Sequence, residues 1–251
     1  MRPYSIALAG KGGTGKTTLS GMLVKYFIHK GKTPVLAVDA DSNSNFNDVL
    51  GVQINGTLGE AREAMKKGDV PAGMTKDVFM SMKMQESVVE TKHFDLIVMG
   101  RPEGAGCYCA ANTLLTNFLD SLTDNYPYMI MDNEAGMEHI SRLTTRNVDV
   151  MMLVSDGSVR GVTAAVRINE LAQSLHIGMG KTFLVINRAR NTPSDAILKI
   201  IQDAGVSYAG HLPAEDAIYD FDMDGKATID LPIENSFVQA AFDLFDKHLT
   251  P

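Results

Sequence analysis

Residues 10–18 read Gly10-Lys11-Gly12-Gly13-Thr14-Gly15-Lys16-Thr17-Thr18, between an apolar run that ends at Ala9 and a helical pattern that begins at Lys16. Few folds accommodate the spacing G-x-x-x-x-G-K-[ST] in a strand–loop–helix setting. The glycines let successive backbone N–H groups turn inward around an anion, and the following helix adds the positive end of its dipole. The expected anion is the phosphate chain of ATP or ADP. Lys16 then reaches the β- and γ-phosphate oxygens, and the Thr17 hydroxyl is placed to ligate magnesium. Gly10, Gly12, Gly13, Thr14, Gly15, Thr17 and Thr18 complete the nucleotide cradle. Such a loop requires a parallel sheet behind it.

The rest of the chain meets that requirement. Apolar strand patterns alternate with helical ones across short connections, as in doubly wound parallel sheets. Strands are predicted at Ser5–Ala9, Val35–Val38, Leu96–Met99, Met129–Met131, Val150–Val154, Thr182–Ile186 and near Ala209–Leu212. Helices are predicted at Lys16–His29, Leu58–Lys67, Asn112–Leu122, Gly161–Leu175, Ser194–Asp203 and Phe237–Leu249. With 251 residues and no repeat or linker tract, the expectation is one α/β P-loop ATPase domain over residues 1–251, with seven or eight mostly parallel strands flanked by helices. The stretch 70–90 carries Met74, Met80, Met82 and Met84; adaptable packing is the expected role, and a soft-metal site the alternative.

Carboxylates stand where strand ends meet the loop. Asp39 and Asp41 follow the second long strand and share a side if the backbone stays extended. One would support magnesium and the other would orient an attacking water. Asp132 ends the run Tyr128-Met129-Ile130-Met131, as a magnesium-side carboxylate does, and Gly136 follows at the place of a γ-phosphate sensor. Lys11 is a second lysine where the loop pattern demands none, so it is either a solvated charge or a further phosphate contact.

The chain has 2 Cys, Cys107 and Cys109, in the segment Gly104-Ala105-Gly106-Cys107-Tyr108-Cys109. A disulfide between such close neighbours is strained. In an extended loop the two thiols lie together and could form half of a four-thiolate metal site that a two-fold dimer completes. Two incidental core thiols, or a redox pair, are the alternatives.

The loop K-G-G-x-G-K-[ST] resembles the deviant phosphate loop of the MinD, ParA and nitrogenase iron protein ATPases. That resemblance implies magnesium-dependent ATP hydrolysis in a homodimer. Lys11 would contact phosphate on the partner's nucleotide, and Asp41 would activate the water. Asn187, with Arg188 and the later Pro213, would hold adenine. Gly100-Arg101-Pro102-Glu103, the Cys107/Cys109 pair and Asp132-Asn133-Glu134-Ala135-Gly136-Met137-Glu138-His139 are similar to the nickel-insertion ATPases CooC and AcsF. This second likeness implies one Ni2+ (or Zn2+) bound by Cys107 and Cys109 of two subunits. It also implies a nickel enzyme as client, either carbon monoxide dehydrogenase or acetyl-CoA synthase.

Two other roles within the wider family remain open. A positioning ATPase of the MinD or ParA kind calls for a basic surface or a membrane-seeking helix, whereas the net charge is -7 and residues 237–249 are as acidic as they are basic on their polar face. Nucleic-acid and membrane partners are therefore not expected. An electron donor like the nitrogenase iron protein uses cysteines far apart in sequence, unlike this pair. The N-terminal residues enter a strand with no secretory pattern, so a cytoplasmic location is expected.

Overall fold

The computed structural model describes residues 2–41, 45–67, 70–100, 117–133, 147–175 and 178–249. The strands are β1 (Tyr4–Ala9), β2 (Val35–Ala40), β3 (Val89–Glu90), β4 (Phe94–Val98), β5 (Tyr128–Asn133), β6 (Asn147–Ser155), β7 (Gly178–Ala189) and β8 (Ser207–Pro213). They form one sheet in the order β3-β4-β2-β5-β1-β6-β7-β8. Every pairing is parallel except that of β3 with β4.

The parallel ladder explains the composition of the central strands. Covered on both faces, β1 and β2 are buried along almost their whole length and read as continuous apolar runs. Ile6 and Leu8 of β1 face one layer, which holds α1 (Lys16–His29) and α8 (Ser236–His248). Ala7 and Ala9 face the other, which holds α4 (Lys76–Glu86), α5 (Val159–Ser174) and α6 (Asp195–Asp203).

The seven predicted strands are all present, and the eighth is the two-residue β3, too short to leave a pattern. Three helices that periodicity did not mark are α2 (Phe46–Leu50), α4 and α7 (Asp216–Met223). The predicted helix α3 (Leu58–Lys67) forms with those bounds. Of the predicted Asn112–Leu122 helix, residues 117–123 are described and are helical, whereas 112–116 lie outside the described residues. The methionine stretch packs: Met80 and Met84 on α4 are fully buried in the second core layer. Helix α8 buries Phe237, Val238, Ala241, Phe242, Leu244 and Phe245, so its apolar stripe closes the core. No described helix is long and apolar enough to cross a membrane.

Candidate nucleotide site

The strand order puts the C-terminal ends of β2, β5 and β1 side by side, with Asp39 next to the end of β2 and Asp132-Asn133 at the end of β5. The loop after β1 turns tightly against its neighbours. A Cβ on Gly10 would lie 2.1 Å from the Val154 carbonyl oxygen, so only glycine lets the loop pass β6. Gly15 has φ +85, and a Cβ there would meet the Asn187 amide nitrogen at 2.4 Å. Gly15 is also the N-cap of α1, with no side-chain cap and no acidic residue in the first turn. The positive end of α1 therefore faces the loop uncompensated, ready for an anion.

Inside the loop, Thr14 and Lys16 converge on one acceptor. The Thr14 hydroxyl donates to the Lys11 carbonyl at 2.9 Å, and Lys16 Nζ donates to the same oxygen at 3.4 Å. Lys16 is buried and its ammonium is held within the cradle, whereas the Lys11 side chain is exposed.

Three aspartates cluster beside the first turn of α1. Asp39 and Asp132 are partners in the β2–β5 register, so their side chains leave the sheet on one face. Asp132 accepts a hydrogen bond from the Ser20 hydroxyl at 3.1 Å and one from Thr17. Burial pushes its carboxyl up to about 6, opposed by the Thr17 hydrogen bond, Lys16 and Ser20. Burial likewise pushes Asp39 up to about 7, opposed by backbone N–H groups. Asp39 Oδ1 accepts the N–H of Asp41 at 3.0 Å, and Oδ2 accepts that of Phe46 at 3.1 Å. Half-buried Asp41 adds its negative charge to both neighbours. Two buried carboxyls raised toward neutrality, with the Thr17 hydroxyl between loop and strand, make a hard-oxygen donor set deficient in positive charge. That set fits magnesium. Asp41 itself is not carried on an extended strand: β2 ends at Ala40, and the Asp41 N–H folds back on Asp39.

On the opposite side of the loop, buried Asn187 clamps it. Its amide nitrogen donates to the Thr14 carbonyl at 2.9 Å, and its side-chain oxygen accepts the Arg188 N–H at 2.9 Å. One amide hydrogen remains for another acceptor. Arg188 sits at φ 54, the one non-glycine residue with positive φ among those described. A cleft of about 530 Å³ opens here, lined by Thr18, Asn187, Arg188, Pro213, Tyr219 and Phe237 among others. Arg188 also borders a second cleft of about 490 Å³ next to Asp156 and Ser194.

The loop residues, Asp39, Asp41, Asp132, Asn187, Arg188 and Pro213 thus converge at one edge of the sheet. Cys107, Cys109, Gly136 and His139 lie outside the described residues. Among the described residues no group of three or more His, Cys, Asp or Glu could hold a metal ion. Sequence reading missed Ser20. The signal was available, because Ser20 stands three residues after Thr17 and so on the same helix face. It also missed Tyr219, which no motif marks.

The sequence pattern of the CobQ/CobB/MinD/ParA nucleotide binding domain matches residues 5–229. An uncharacterised ATP-binding protein of Methanocaldococcus jannaschii is 39% identical over 96% of this chain and 97% of its own length. The carbon monoxide dehydrogenase accessory protein CooC of Rhodospirillum rubrum is 30% identical over 90% of this chain and 89% of its own. Among solved structures, the MinD cell division protein of Aquifex aeolicus superimposes with a TM-score of 0.70 over 98% of each chain at 21% identity, a likeness of fold. The eight-stranded sheet, the glycine-lined loop and the match over residues 5–229 lead to one conclusion: the chain belongs to the CobQ/CobB/MinD/ParA family of nucleotide-binding domains.

Proposed function

We propose that this protein is an ATP-hydrolysing metallochaperone that carries nickel to a carbon monoxide dehydrogenase or acetyl-CoA synthase. The observation that carries this reading is the Cys107-Tyr108-Cys109 pair, on the segment that follows β4. Strand β4 runs parallel to β2, so its own C-terminal end lies at the same sheet edge as the phosphate loop. The similarity to CooC supports the same choice.

In this reading ATP lies with its phosphates in the cradle of residues 10–18 and its base in the cleft at Asn187, Arg188 and Pro213. Lys16 leaves the Lys11 carbonyl for the β- and γ-phosphate oxygens. Thr17, Asp132 and Asp39 would hold magnesium, which supplies charge neutralisation between the phosphates when bound. Asp41 accepts a hydrogen bond from the attacking water and orients it in line. The water oxygen forms the new bond to γ-phosphorus. The bond to the bridging oxygen breaks, ADP leaves with the electron pair, and the water's protons go to the released phosphate and to solvent. Lys11 of one subunit reaches the partner's nucleotide, so ATP and Lys11 join a homodimer. Each subunit then adds two thiolates to one four-sulfur nickel site, and hydrolysis changes that site's geometry so the metal passes on. Thiolates also accept zinc, so the metal is a matter for measurement. A positioning role of the MinD kind calls for a basic, membrane-seeking C-terminal helix, whereas α8 buries its apolar face in the core.

The test is metal content against oligomeric state. One nickel per dimer is expected, with loss of nickel in Cys107→Ser and in Cys109→Ser while basal ATP hydrolysis continues. One nickel per monomer, or undiminished nickel in the double variant, would overturn the shared thiolate site.

A further inference from the structure

On the face beside α7, exposed apolar side chains, acidic residues and an unsatisfied acceptor come together. Helix α7 buries none of its own residues. Tyr219 and Met223, 64% and 69% exposed, are the two most exposed large apolar side chains among the described residues. Four positions apart, they share one face of the helix. Around them stand Asp216, Asp220, Asp222 and Asp224, all exposed. The nearest cation in sequence, Lys226, is already taken, its Nζ 2.7 Å from Asp224. Asp216, Asp220 and Asp222 have no ion-pair partner among the described residues.

The acidic face continues into a cleft of about 670 Å³ between α2 and the loop after α7. Asp48 and Asp222 stand on its walls with Val49 and Val52; Lys226, paired with Asp224, and Thr17 of the phosphate loop line it too. Asn47 also lines it. Its amide nitrogen donates to Asp48 Oδ1 at 2.8 Å, and its side-chain oxygen is buried without a hydrogen-bond partner among the described residues. The two carboxylates on the walls of this cleft match a donor that carries several N–H groups and a positive charge. The apolar stem of a long cationic side chain matches the valine walls.

We propose that this face docks a basic amphipathic helix of a partner protein. An arginine or lysine of that helix enters the cleft between Asp48 and Asp222, and its apolar residues cover Tyr219 and Met223. Charge complementarity selects this occupant: four aspartates on and beside one short helix repel nucleic acid and anionic lipid, whose surfaces are phosphate. The proposal is independent of the metal reading above.

The probe is a fluorescein-labelled, amidated Leu/Arg peptide of about five helical turns with its leucines on one face. A peptide of the same composition in scrambled order is the control. Anisotropy titrations should give at least roughly tenfold tighter binding of the ordered peptide. Tyr219→Ser/Met223→Ser and Asp48→Asn/Asp222→Asn should each erase that preference, in variants whose thermal midpoints match the parent. These side chains are exposed, but Tyr219 and Asp222 also border the cleft given above to the base, so the titrations use nucleotide-free protein; the single changes Met223→Ser and Asp222→Asn should each reduce the preference. Equal binding of both peptides, or a preference that survives both double variants, overturns the proposal. So does sedimentation of nucleotide-free protein as a dimer that Tyr219→Ser/Met223→Ser dissociates, because a second copy then covers the face.

Discussion

Asp39 and Asp132 are the residues whose physics depends most on what binds beside them. Both are buried and in register on neighbouring strands, and burial raises both carboxyls, to about 7 and about 6. In the unfolded chain they titrate near 4. Between those limits the folded chain holds protons that the unfolded chain has released. The stability these two groups confer is thus greatest below pH 4 and is lost as pH rises through 6 and 7. Asp132→Asn removes one of them while keeping an oxygen to accept the Ser20 and Thr17 hydroxyls. The variant should gain stability relative to the parent at pH 8 by up to roughly 3 kcal/mol, and the gain should shrink toward zero at pH 4. Thermal midpoints of the two proteins across that range give the difference directly. A difference that does not change with pH would mean that Asp132 is ionised throughout. Magnesium with ADP should raise the parent's midpoint at pH 8 and the variant's much less, since the buried charge that the cation would neutralise is gone.

Among the elements, those legible in the sequence were those with a strong period or a motif. Helix α1 follows a loop whose glycines have no other use, and Lys16–His29 came out as read. Central strands stood out as apolar runs because they are covered on both faces. What escaped notice was short or irregular. Helix α2 has five residues, and its N–H at Phe46 is tied to Asp39, a tertiary contact with no local signature. Helix α7 mixes acidic and apolar residues without a clean period, and it buries none of its own residues. The same limit applied at the site. The motif residues could be named, but a backbone that folds Asp41 back on Asp39 and an Asn187 that clamps Thr14 are properties of packing. Helix α8 tests the packing argument from the other side. Tyr26 of α1 makes edge contacts with Phe242 and Phe245 at 5.3 and 5.4 Å between ring centres, and Phe245 is fully buried. Phe245→Ala should lower stability by about 3–5 kcal/mol and the thermal midpoint by on the order of 10 °C. Magnesium–ADP affinity at low temperature should persist, because Phe245 stands about two turns along α8 from Phe237, the α8 residue that lines the nucleotide cleft. An unchanged midpoint would show that α8 does not close the core.

For the whole molecule, the decisive question is whether two chains share one nucleotide site, and Lys11 is the residue through which to ask it. Its backbone and side chain have separate roles. The carbonyl accepts from Thr14 and Lys16 and shapes the cradle, whereas the ammonium is exposed and finds no partner among the described residues. Lys11→Ala keeps the carbonyl, so the cradle should stand and magnesium–ADP should bind within about threefold of the parent by calorimetry. The charge that would stabilise the transferring phosphoryl group from the other subunit disappears. If that contact works as an arginine finger does, hydrolysis should fall by about a thousandfold or more. Sedimentation with ATP should then find a monomer where the parent forms a dimer. The consequence reaches the metal as well. ATP and nickel would both draw the same two subunits together, so each must tighten the other by the same free energy. In Lys11→Ala that mutual effect should vanish, and nickel affinity should become independent of ATP while Cys107 and Cys109 remain intact. A variant that hydrolyses ATP normally as a monomer would place the catalytic charge within one chain and end the shared-site reading. A variant that loses hydrolysis but still dimerises with ATP would keep the catalytic contact and assign the dimer to other surfaces.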